Sequence, residues 1–444
     1  MKRTLAGLVW LLIGSMASAQ TNPEKYAATI TSQSLKNQLT IIAGPAMEGR
    51  ETATPGQRKA AEYIVSQFKL AGLQPAPGTT DYQQTFPLFY DTLINVILIV
   101  NHKPQTFGQN FIATLQANET VNIKNKKLVF AGYGINDSSY DDYAGKNVNG
   151  KFVVIFSGEP RVSDKYLVSG TSRPSKWGYF QGNTNKAKAA KLNGAAGIIV
   201  INPASATFPE MVGPLQKTNI YYPTPAATVT ETVNQVTISH ALAATILGSQ
   251  FDSLLKNAED LKPLNQVAVK IKNKVTFNFT ELKVPLFSTN VAGFIEGTDK
   301  KDEYVILTGH YDHLGKRGDV IYFGADDDGS GTTSVIEMAK AFGKAKAEGN
   351  GPRRTIVFMT VSGEEKGLLG SQYYSENPLF PLDKTSVNLN TDMVGRIDPT
   401  RKNGDSTNYV YVIGEDKLSS DLTVITDEVN SKFVHLELDW KFNA

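Results

Sequence analysis

The stretch EYVILTGHYDHLG, residues 303–315, joins a hydrophobic run to residue types that bind metals. Residues 303–309 are rich in aliphatic side chains without polar alternation, which predicts a strand buried on both faces. His310, Asp312 and His313 follow this strand directly. Because ligands bind beyond the carboxyl ends of parallel strands, this junction is a candidate functional site.

Two further hydrophobic runs end in carboxylate-bearing segments. RTIVFMTV is followed by Glu364 and Glu365, and SVNLNTDMV contains Asp392. A helix predicted over residues 332–347 separates the first strand from RTIVFMTV. This alternation predicts an α/β fold, in which a mixed, mostly parallel sheet has helices on both faces.

Three consecutive carboxylates, Asp326–Asp328, stand just before the predicted helix in the segment GADDDGSG. Adjacent carboxylates repel one another and are costly to bury alone, so either water screens them or a bound cation neutralises them. The helix N-terminus also favours anions. Imidazole and carboxylate groups without thiols suit zinc or a related metal. Together with His310 and the acidic residues after the other strands, the run predicts a metal site.

The residue types also suggest how such a site would work. One carboxylate of the Asp326–Asp328 run can bridge two cations about 3.5–4 Å apart, which together activate a water. One of Glu364 and Glu365 then binds metal, while the other carries a proton. Taken alone, the acidic pair would be expected in a solvated loop, and DDDG in a turn or a calcium-type loop. Only the combination of these segments favours the metal site. The histidines without such companions, which we assign to surface or core, are His102, His240 and His435.

Length and charge limit the classes of function. The 444 residues suffice for two domains. The net charge of +2, from 45 basic and 43 acidic residues, gives no electrostatic case for binding nucleic acid or an anionic membrane. The absence of cysteine excludes disulfides and a lipid anchor on cysteine.

The N-terminus has the pattern of a signal peptide. A basic head at Lys2 and Arg3 precedes the apolar run Leu5–Met16, and Ala17–Ala19 is an A-x-A cleavage site. We therefore expect residues 1–19 to be removed during export, leaving a periplasmic or extracellular protein without a membrane anchor.

Four motifs in this order, TGHYDHLG, GADDDGSG, VSGEEKGLLGS and NTDMVG, resemble the di-zinc exopeptidase family. That family includes secreted bacterial leucyl aminopeptidases, glutamate carboxypeptidase and the transferrin receptor ectodomain. The segment GPAMEGRETATPGQRKAAEYIVSQF is similar to the family's N-terminal helix region, and GKFVVIFSGEP with NKAKAAKLNGAAGIIVIN resembles a protease-associated insert domain. The resemblance implies a zinc exopeptidase fold at 20–114 and 285–444, interrupted by a β-rich insert at 115–284.

The resemblance also assigns roles by position. The metal ligands that it implies are His310, Asp327, Glu365 and Asp392. Asp327 would bridge two zinc ions, with a cis peptide bond before Asp328. Glu364 would be the general base and Asp312 would orient His310, which makes these two the implied catalytic residues. His313 receives no ligand role and is expected only to line the site.

One feature departs from the family pattern. The family supplies a final histidine to the zinc on the Glu365 side, in a Ser-Asp-His-type segment after the Asp392 strand. This sequence ends in VHLELDWKFNA, where His435 lacks that context. We expect the sequence to be C-terminally incomplete, with the final ligand beyond residue 444, a weakly bound second zinc and an inactive chain. A natural variant with one complete metal site is the alternative.

The expected function is that of an exported zinc aminopeptidase acting on peptides. Three alternatives remain open on the same scaffold. A carboxypeptidase or dipeptidase would need a cation for the free carboxylate, for which Arg396 is the candidate. A glutaminyl cyclase would use one metal. A receptor-like binding protein would be non-catalytic, but such proteins lose ligands that this sequence keeps.

Overall fold

The computed structural model describes residues 23–114, 121–179, 181–208, 220–223 and 231–443. The predicted signal peptide, residues 1–19, lies outside the described residues. Among the residues that are described, no helix combines the length and apolar character needed to cross a bilayer.

The helices and strands are named in chain order. The α-helices are α1 (Pro23–Ala27), α2 (Ser32–Ile42), α3 (Pro55–Leu70), α4 (Gly182–Leu192), α5 (His240–Leu247), α6 (Phe251–Glu259), α7 (Gly331–Ala347), α8 (Leu369–Glu376) and α9 (Ser420–Val429). The first ten strands are β1 (Gln74–Pro75), β2 (Gln83–Val100), β3 (Lys103–Gln105), β4 (Phe111–Thr114), β5 (Val121–Phe130), β6 (Phe152–Phe156), β7 (Arg161–Val162), β8 (Lys165–Tyr166), β9 (Gly197–Ile201) and β10 (Asn234–Ile238). The remaining strands are β11 (Lys274–Ile295), β12 (Lys300–His310), β13 (Lys316–Arg317), β14 (Val320–Ile321), β15 (Arg354–Val361), β16 (Thr385–Asn390), β17 (Tyr409–Tyr411) and β18 (Glu437–Asp439).

The chain forms two compact units. The first contains the residues up to Pro87 and from Phe287 onwards, and the second is Leu88–Leu286. The insert predicted at 115–284 falls inside the second unit, which begins earlier than predicted because β2 residues such as Leu93 and Leu98 pack into the same core as the later strands. The assignment of this unit as a protease-associated domain stays a prediction.

The sheet of the first unit has the mixed, mostly parallel arrangement that the sequence predicts. Its strands lie in the order β16-β12-β15-β11, with β12 parallel to both neighbours and β15 antiparallel to residues 291–295 of β11. His310 pairs with Val361, and Thr308 pairs with Asn390. The carboxyl ends of β12, β15 and β16 are therefore level at one edge of the sheet.

Helices cover both faces of this sheet. Side chains alternate across a strand, so Phe358 of β15 packs with helices α3 and α7, whereas Val357 and Met359 pack with Tyr374 of α8 on the opposite face. Burial of each large apolar side chain stabilises the fold by roughly 1.5–3 kcal/mol. The uninterrupted hydrophobic runs are thus strands with two buried faces.

In the second unit, strands of the sheet lie in the order β5-β6-β9-β10-β4. The strands from β5 to β10 run parallel, and β4 is antiparallel to β10. Every residue of β6 and β9 is buried, as their sequences FVVIF and GIIVI predict. Helix α4, Gly182–Leu192, precedes β9.

Candidate metal centre

His310, the last residue of β12, is held with one ring nitrogen towards the backbone and the other towards carboxylates. Its backbone N–H donates to Asp328 Oδ2 at 3.0 Å, and ring Nδ1 lies 3.1 Å from the carbonyl oxygen of Asp312. Nε2 lies 3.1 Å from Asp327 Oδ1 and 3.7 Å from Asp392 Oδ1. His310, Asp327 and Asp392 therefore form one group of donor atoms that can hold a metal ion.

A second group of donor atoms contains His313, Asp327 and Glu365. Nδ1 of His313 lies 2.6 Å from Oε1 of Glu365. Asp327 belongs to both groups, which is the position that a bridging carboxylate requires. His313 was expected only to line the site, but its ring lies among the donor atoms. The one sign of this in the sequence was its position three residues after His310.

Acidic side chains outnumber basic ones around the two donor groups, so negative charge is in excess there. Burial by itself lowers the pKa of His310, but the neighbouring carboxylates of Asp312 and Asp392 outweigh burial and raise that pKa to about 11. Burial and nearby carboxylates raise the pKa of both Glu364 and Glu365. A bound cation would relieve this repulsion. The imidazole and carboxylate donors, with no thiol, fit zinc.

Asp328 ties together the backbone segments that carry the donor atoms. Its carboxylate accepts hydrogen bonds from the N–H groups of His310 at 3.0 Å, Gly331 at 2.8 Å and Met393 at 3.3 Å. The bond between Asp327 and Asp328 is a cis peptide, which confirms that expectation. Gly331 allows the start of α7 to approach the strand end closely, because a β-carbon there would overlap the carbonyl oxygen of Thr391.

Asp312 is fully buried beside the site. Its carboxylate accepts hydrogen bonds from the Thr52 hydroxyl at 2.6 Å and from the Glu364 N–H at 3.2 Å. Oδ1 of Asp312 lies 3.7 Å from Nδ1 of His310, whereas the Asp312 carbonyl oxygen is closer to that nitrogen. Asp312 thus contacts the His310 ring mainly through the backbone and holds the Glu364 loop through its side chain.

Glu364 faces both the donor atoms and solvent. Its side chain is about one-third exposed, and Oε2 lies 3.8 Å from His310 Nε2. The turn Glu364–Lys366 follows directly from the Ser362-Gly363 segment at the end of β15, so the backbone aims this side chain at the edge of the sheet. A carboxylate in this position can exchange a proton with a water at the site.

Arg50 is a structural residue of the site that the sequence analysis missed. It is completely buried, and its guanidinium donates to four carbonyl oxygens at 2.7–2.8 Å. The acceptors are Ile42, Tyr311, Phe323 and Gly324. Burial lowers the pKa of Arg50 to about 10. Arg50 thereby fixes the loop after β12 and the turn before the Asp326–Asp328 run. It lies in the segment that resembles the family's N-terminal helix region, but that resemblance assigned it no role.

A cavity of about 420 Å³ adjoins the first donor group. Its wall includes His310, Glu364 and Asp392, and half of the other lining residues are apolar. The apolar side chains are Ile306, Met359, Val361, Leu368, Tyr374 and Leu382. No lysine or arginine is among the described residues that line it. Arg396, the predicted carboxylate-binding candidate, is not among them, and its side chain is 69% exposed with Nε 4.0 Å from Asp326 Oδ2.

The other histidines lie apart from both donor groups. His240 Nε2 lies 2.8 Å from the carbonyl oxygen of Asn202 in the second unit, and His102 is exposed. His435 precedes β18 in a left-handed conformation rather than lying within a strand. The assignment of these three to roles outside the site agrees with their placement in the described chain.

Comparisons with known proteins agree with this picture. Residues 290–433 match the model of peptidase family M28. A "Probable zinc metalloprotease" of Pyrenophora tritici-repentis is 33% identical over 138 residues, covering 29% of this chain and 26% of the relative. A "Probable glutamate carboxypeptidase" of Arabidopsis thaliana is 38% identical over 104 residues, covering 23% of this chain and 14% of the relative. The chain thus spans less than a third of the length of these curated relatives.

The solved structure of an aminopeptidase from Aneurinibacillus sp. strain AM-1 superposes with a TM-score of 0.51 at 18% identity. That likeness covers 94% of this chain and 82% of the other, and it shows a common fold. The four motifs and the acidic edge of the sheet all lie within residues 290–433, the part of the chain that matches peptidase family M28.

Proposed function

We propose that the protein is a zinc-dependent exopeptidase that releases residues from the N-terminus of peptides. The observation that carries the proposal is the pair of histidine and carboxylate groups that meet at Asp327. The family match and the printed names of the relatives support a zinc peptidase. The predicted signal peptide, residues 1–19, supports export to the periplasm or the exterior.

Two zinc positions fit the donor atoms. His310 and Asp392 would hold one ion, Glu365 the other, and Asp327 both. When bound, zinc polarises a carbonyl group and lowers the pKa of a bound water. A glutaminyl cyclase with one metal would leave the second donor group without a use, and a non-catalytic receptor would not need either group.

Glu364 is proposed as the general base. Its carboxylate reaches the donor atoms and is open to solvent, so it can accept a proton from the attacking water and pass it to the leaving amine. Asp312 keeps the Glu364 loop in place by accepting the Glu364 N–H. The carboxylate and its support thus lie on the same side of the site as the cavity that would hold the substrate.

The charge of the cavity favours the amino end of a peptide over the carboxyl end. Its described wall contains Glu364 and Asp392 but neither lysine nor arginine. Opposite charges about 4 Å apart attract by roughly 4 kcal/mol near a protein surface, and like charges repel equally. The Glu364 carboxylate can meet a free ammonium group, whereas no lysine or arginine of the described wall can pair with a free carboxylate, and the apolar part of the wall suits an apolar side chain.

A pair of blocked peptides tests this proposal. One peptide has a free amine and an amidated C-terminus, and the other has the same sequence with an acetylated amine and a free carboxylate. When both metal positions are filled, we expect hydrolysis of the first peptide only, and chelation should abolish it. Preferential hydrolysis of the second would instead assign a carboxypeptidase, and unaltered hydrolysis after chelation would reject a zinc enzyme.

A further inference from the structure

We propose that Glu51 is a positioning residue, which holds the turn Glu364–Lys366 in place by pairing with Lys366. Oε1 of Glu51 accepts a hydrogen bond from Nζ of Lys366 at 2.9 Å. Glu51 itself is not among the donor atoms of the metal centre and does not line the cavity beside it. The inference rests on the proposed function, because this turn carries the proposed general base.

The first argument is that few contacts hold the turn Glu364–Lys366. The turn lies between strand β15 and helix α8, and the glycine on each side of it has a positive φ. Apart from the ion pairs of its two glutamates with histidines, two hydrogen bonds join the turn to other segments of the described chain. The backbone N–H at its start donates to Asp312 at 3.2 Å, and the lysine at its end donates to Glu51. Each end of the turn therefore has one such anchor.

The second argument is that Glu51 is itself fixed by the loop after β12. The N–H of Gly315 donates to the carbonyl oxygen of Gly49 at 2.9 Å, which places Glu51 beside that loop. Gly315 has a φ of +76°, and a β-carbon there would lie 2.5 Å from the β-carbon of Glu51. Nη1 of Arg317 donates to Glu51 Oε2 at 3.0 Å. The carboxylate thus has a confined position and two cationic partners.

The third argument is that the next residue supports the other end of the turn. The Thr52 hydroxyl donates to Asp312 Oδ2 at 2.6 Å, and Asp312 Oδ1 accepts the Glu364 N–H. The side chains of Glu51 and Lys366 are 24% and 16% exposed, so water and salt screen their pair only in part. Two consecutive residues before α3 therefore hold both ends of the turn.

The consequence for the reaction follows from the charges nearby. Lys366 directly follows Glu364 and Glu365 in the chain. Without Glu51, its ammonium group would be drawn to these two carboxylates, and the turn would move with it. A general base must stay within hydrogen-bond reach of the water that it deprotonates, so a displacement of about 1 Å lowers turnover strongly.

An ion pair that contributes only to stability is the competing explanation. Lys340 and Glu337 form such a pair within helix α7, where Nζ lies 3.0 Å from Oε1. Loss of either pair removes one partly buried contact from the first unit. Loss of the pair with Glu51 should in addition change turnover, and this difference separates the two explanations.

A double-mutant cycle with two measurements provides the test. The values of kcat and KM are determined for the wild type, Glu51→Gln, Lys366→Met and the double variant, with both metal positions filled, on the peptide with a free amine and an amidated C-terminus. Hydrogen exchange at the backbone amides of residues 363–368 is measured on the metal-free proteins, so it does not depend on activity. Lys340→Met is the matched control.

We expect each single variant to lose roughly 10- to 100-fold in kcat with little change in KM. The double variant should lose no more than either single variant, because both remove the same contact. The amides of the turn should exchange faster in all three. Lys366→Arg should keep most of the turnover, since its guanidinium can still pair with Glu51.

The outcomes are distinguishable. A wild-type kcat in Glu51→Gln, losses that multiply in the double variant, or an equal loss in Lys340→Met would each overturn the inference and leave the proposed function intact. A wild type that hydrolyses neither blocked peptide with both metal positions filled would overturn the proposed function and the inference with it. Circular dichroism checks that each variant is folded, and Lys366→Met gives the same comparison if Glu51→Gln fails to fold.

Discussion

Replacing Arg50 by methionine tests how the loops around the metal centre are held. The guanidinium donates one bond each to Ile42, Tyr311, Phe323 and Gly324, and it is completely buried. Methionine has a comparable length and no donor. The substitution therefore leaves four carbonyl oxygens without a partner while removing a buried charge.

The expected magnitude follows from these two opposing effects. Hydrogen bonds to a charged group contribute about 1.5–3 kcal/mol each, so the loss of four costs roughly 6–12 kcal/mol. Removing the buried charge restores part of this lost stability. Burial lowers the pKa of Arg50 to about 10, and this change corresponds to about 3 kcal/mol. The net loss is then roughly 3–9 kcal/mol, a large share of the about 5–15 kcal/mol that stabilises a typical domain.

Calorimetry of the metal-free protein measures this loss, because the two units can give separate transitions. We expect Arg50→Met to lower the transition of the first unit and leave that of the second unchanged. The transition temperature of Arg50→Lys should lie between those of the wild type and Arg50→Met, because one ammonium group cannot reach all four carbonyl oxygens. The control is Arg353→Met, which removes an exposed pair with Asp299 that contributes little to stability. An Arg50→Met transition no lower than that of Arg353→Met would refute the reasoning.

Three further predictions concern charge and metal. Asp327→Ala should lower the zinc content at both positions, because its carboxylate belongs to both donor groups. The control Asp319→Ala, in an exposed loop, should leave the zinc content unchanged. Elemental analysis measures the zinc bound by each variant. Glu364→Gln should keep zinc and lose about 10²–10⁴-fold in turnover, with the exposed Glu376→Gln as control, and wild-type turnover would remove Glu364 from the base role. Burial lowers the pKa of Lys186 to about 7, so between about pH 7.5 and 9.5 the unfolded chain carries a proton that the folded chain lacks. The free energy of unfolding should therefore rise with pH by up to about 1.4 kcal/mol per pH unit, and Lys186→Met should lose that slope in denaturant titrations at several pH values.

The strands and the acidic edge of the sheet could be predicted because they depend on local patterns. Hydrophobic runs without polar alternation predicted the strands β12 and β15. The polar residues after each run indicated that the carboxyl ends of these strands would lie side by side. β16 is shorter than its predicted run and ends at Asn390, so Asp392 lies in the loop beyond it. The positions of His310 and Asp392 relative to one another follow from the parallel register of β12 and β16.

The residues that were missed depend on contacts between distant segments. Arg50 bonds to Tyr311 and Gly324, more than 250 positions away, and nothing near Arg50 in the sequence indicates those acceptors. His313 reaches Glu365 because Gly324 and the loop after β12 confine its ring, which the pattern HYDH does not contain. The unit that contains the predicted insert begins at Leu88, within the continuous strand β2.

The most direct test of the central claim is a crystal structure of the zinc-loaded protein with anomalous data at the zinc edge. The claim is that two metal ions compensate the carboxylates at this edge of the sheet by sharing Asp327. We predict two anomalous peaks about 3.5–4 Å apart, one beside His310 and the other beside Glu365, with the Asp327 carboxylate between them. A single peak, or two peaks that do not share Asp327, would contradict it.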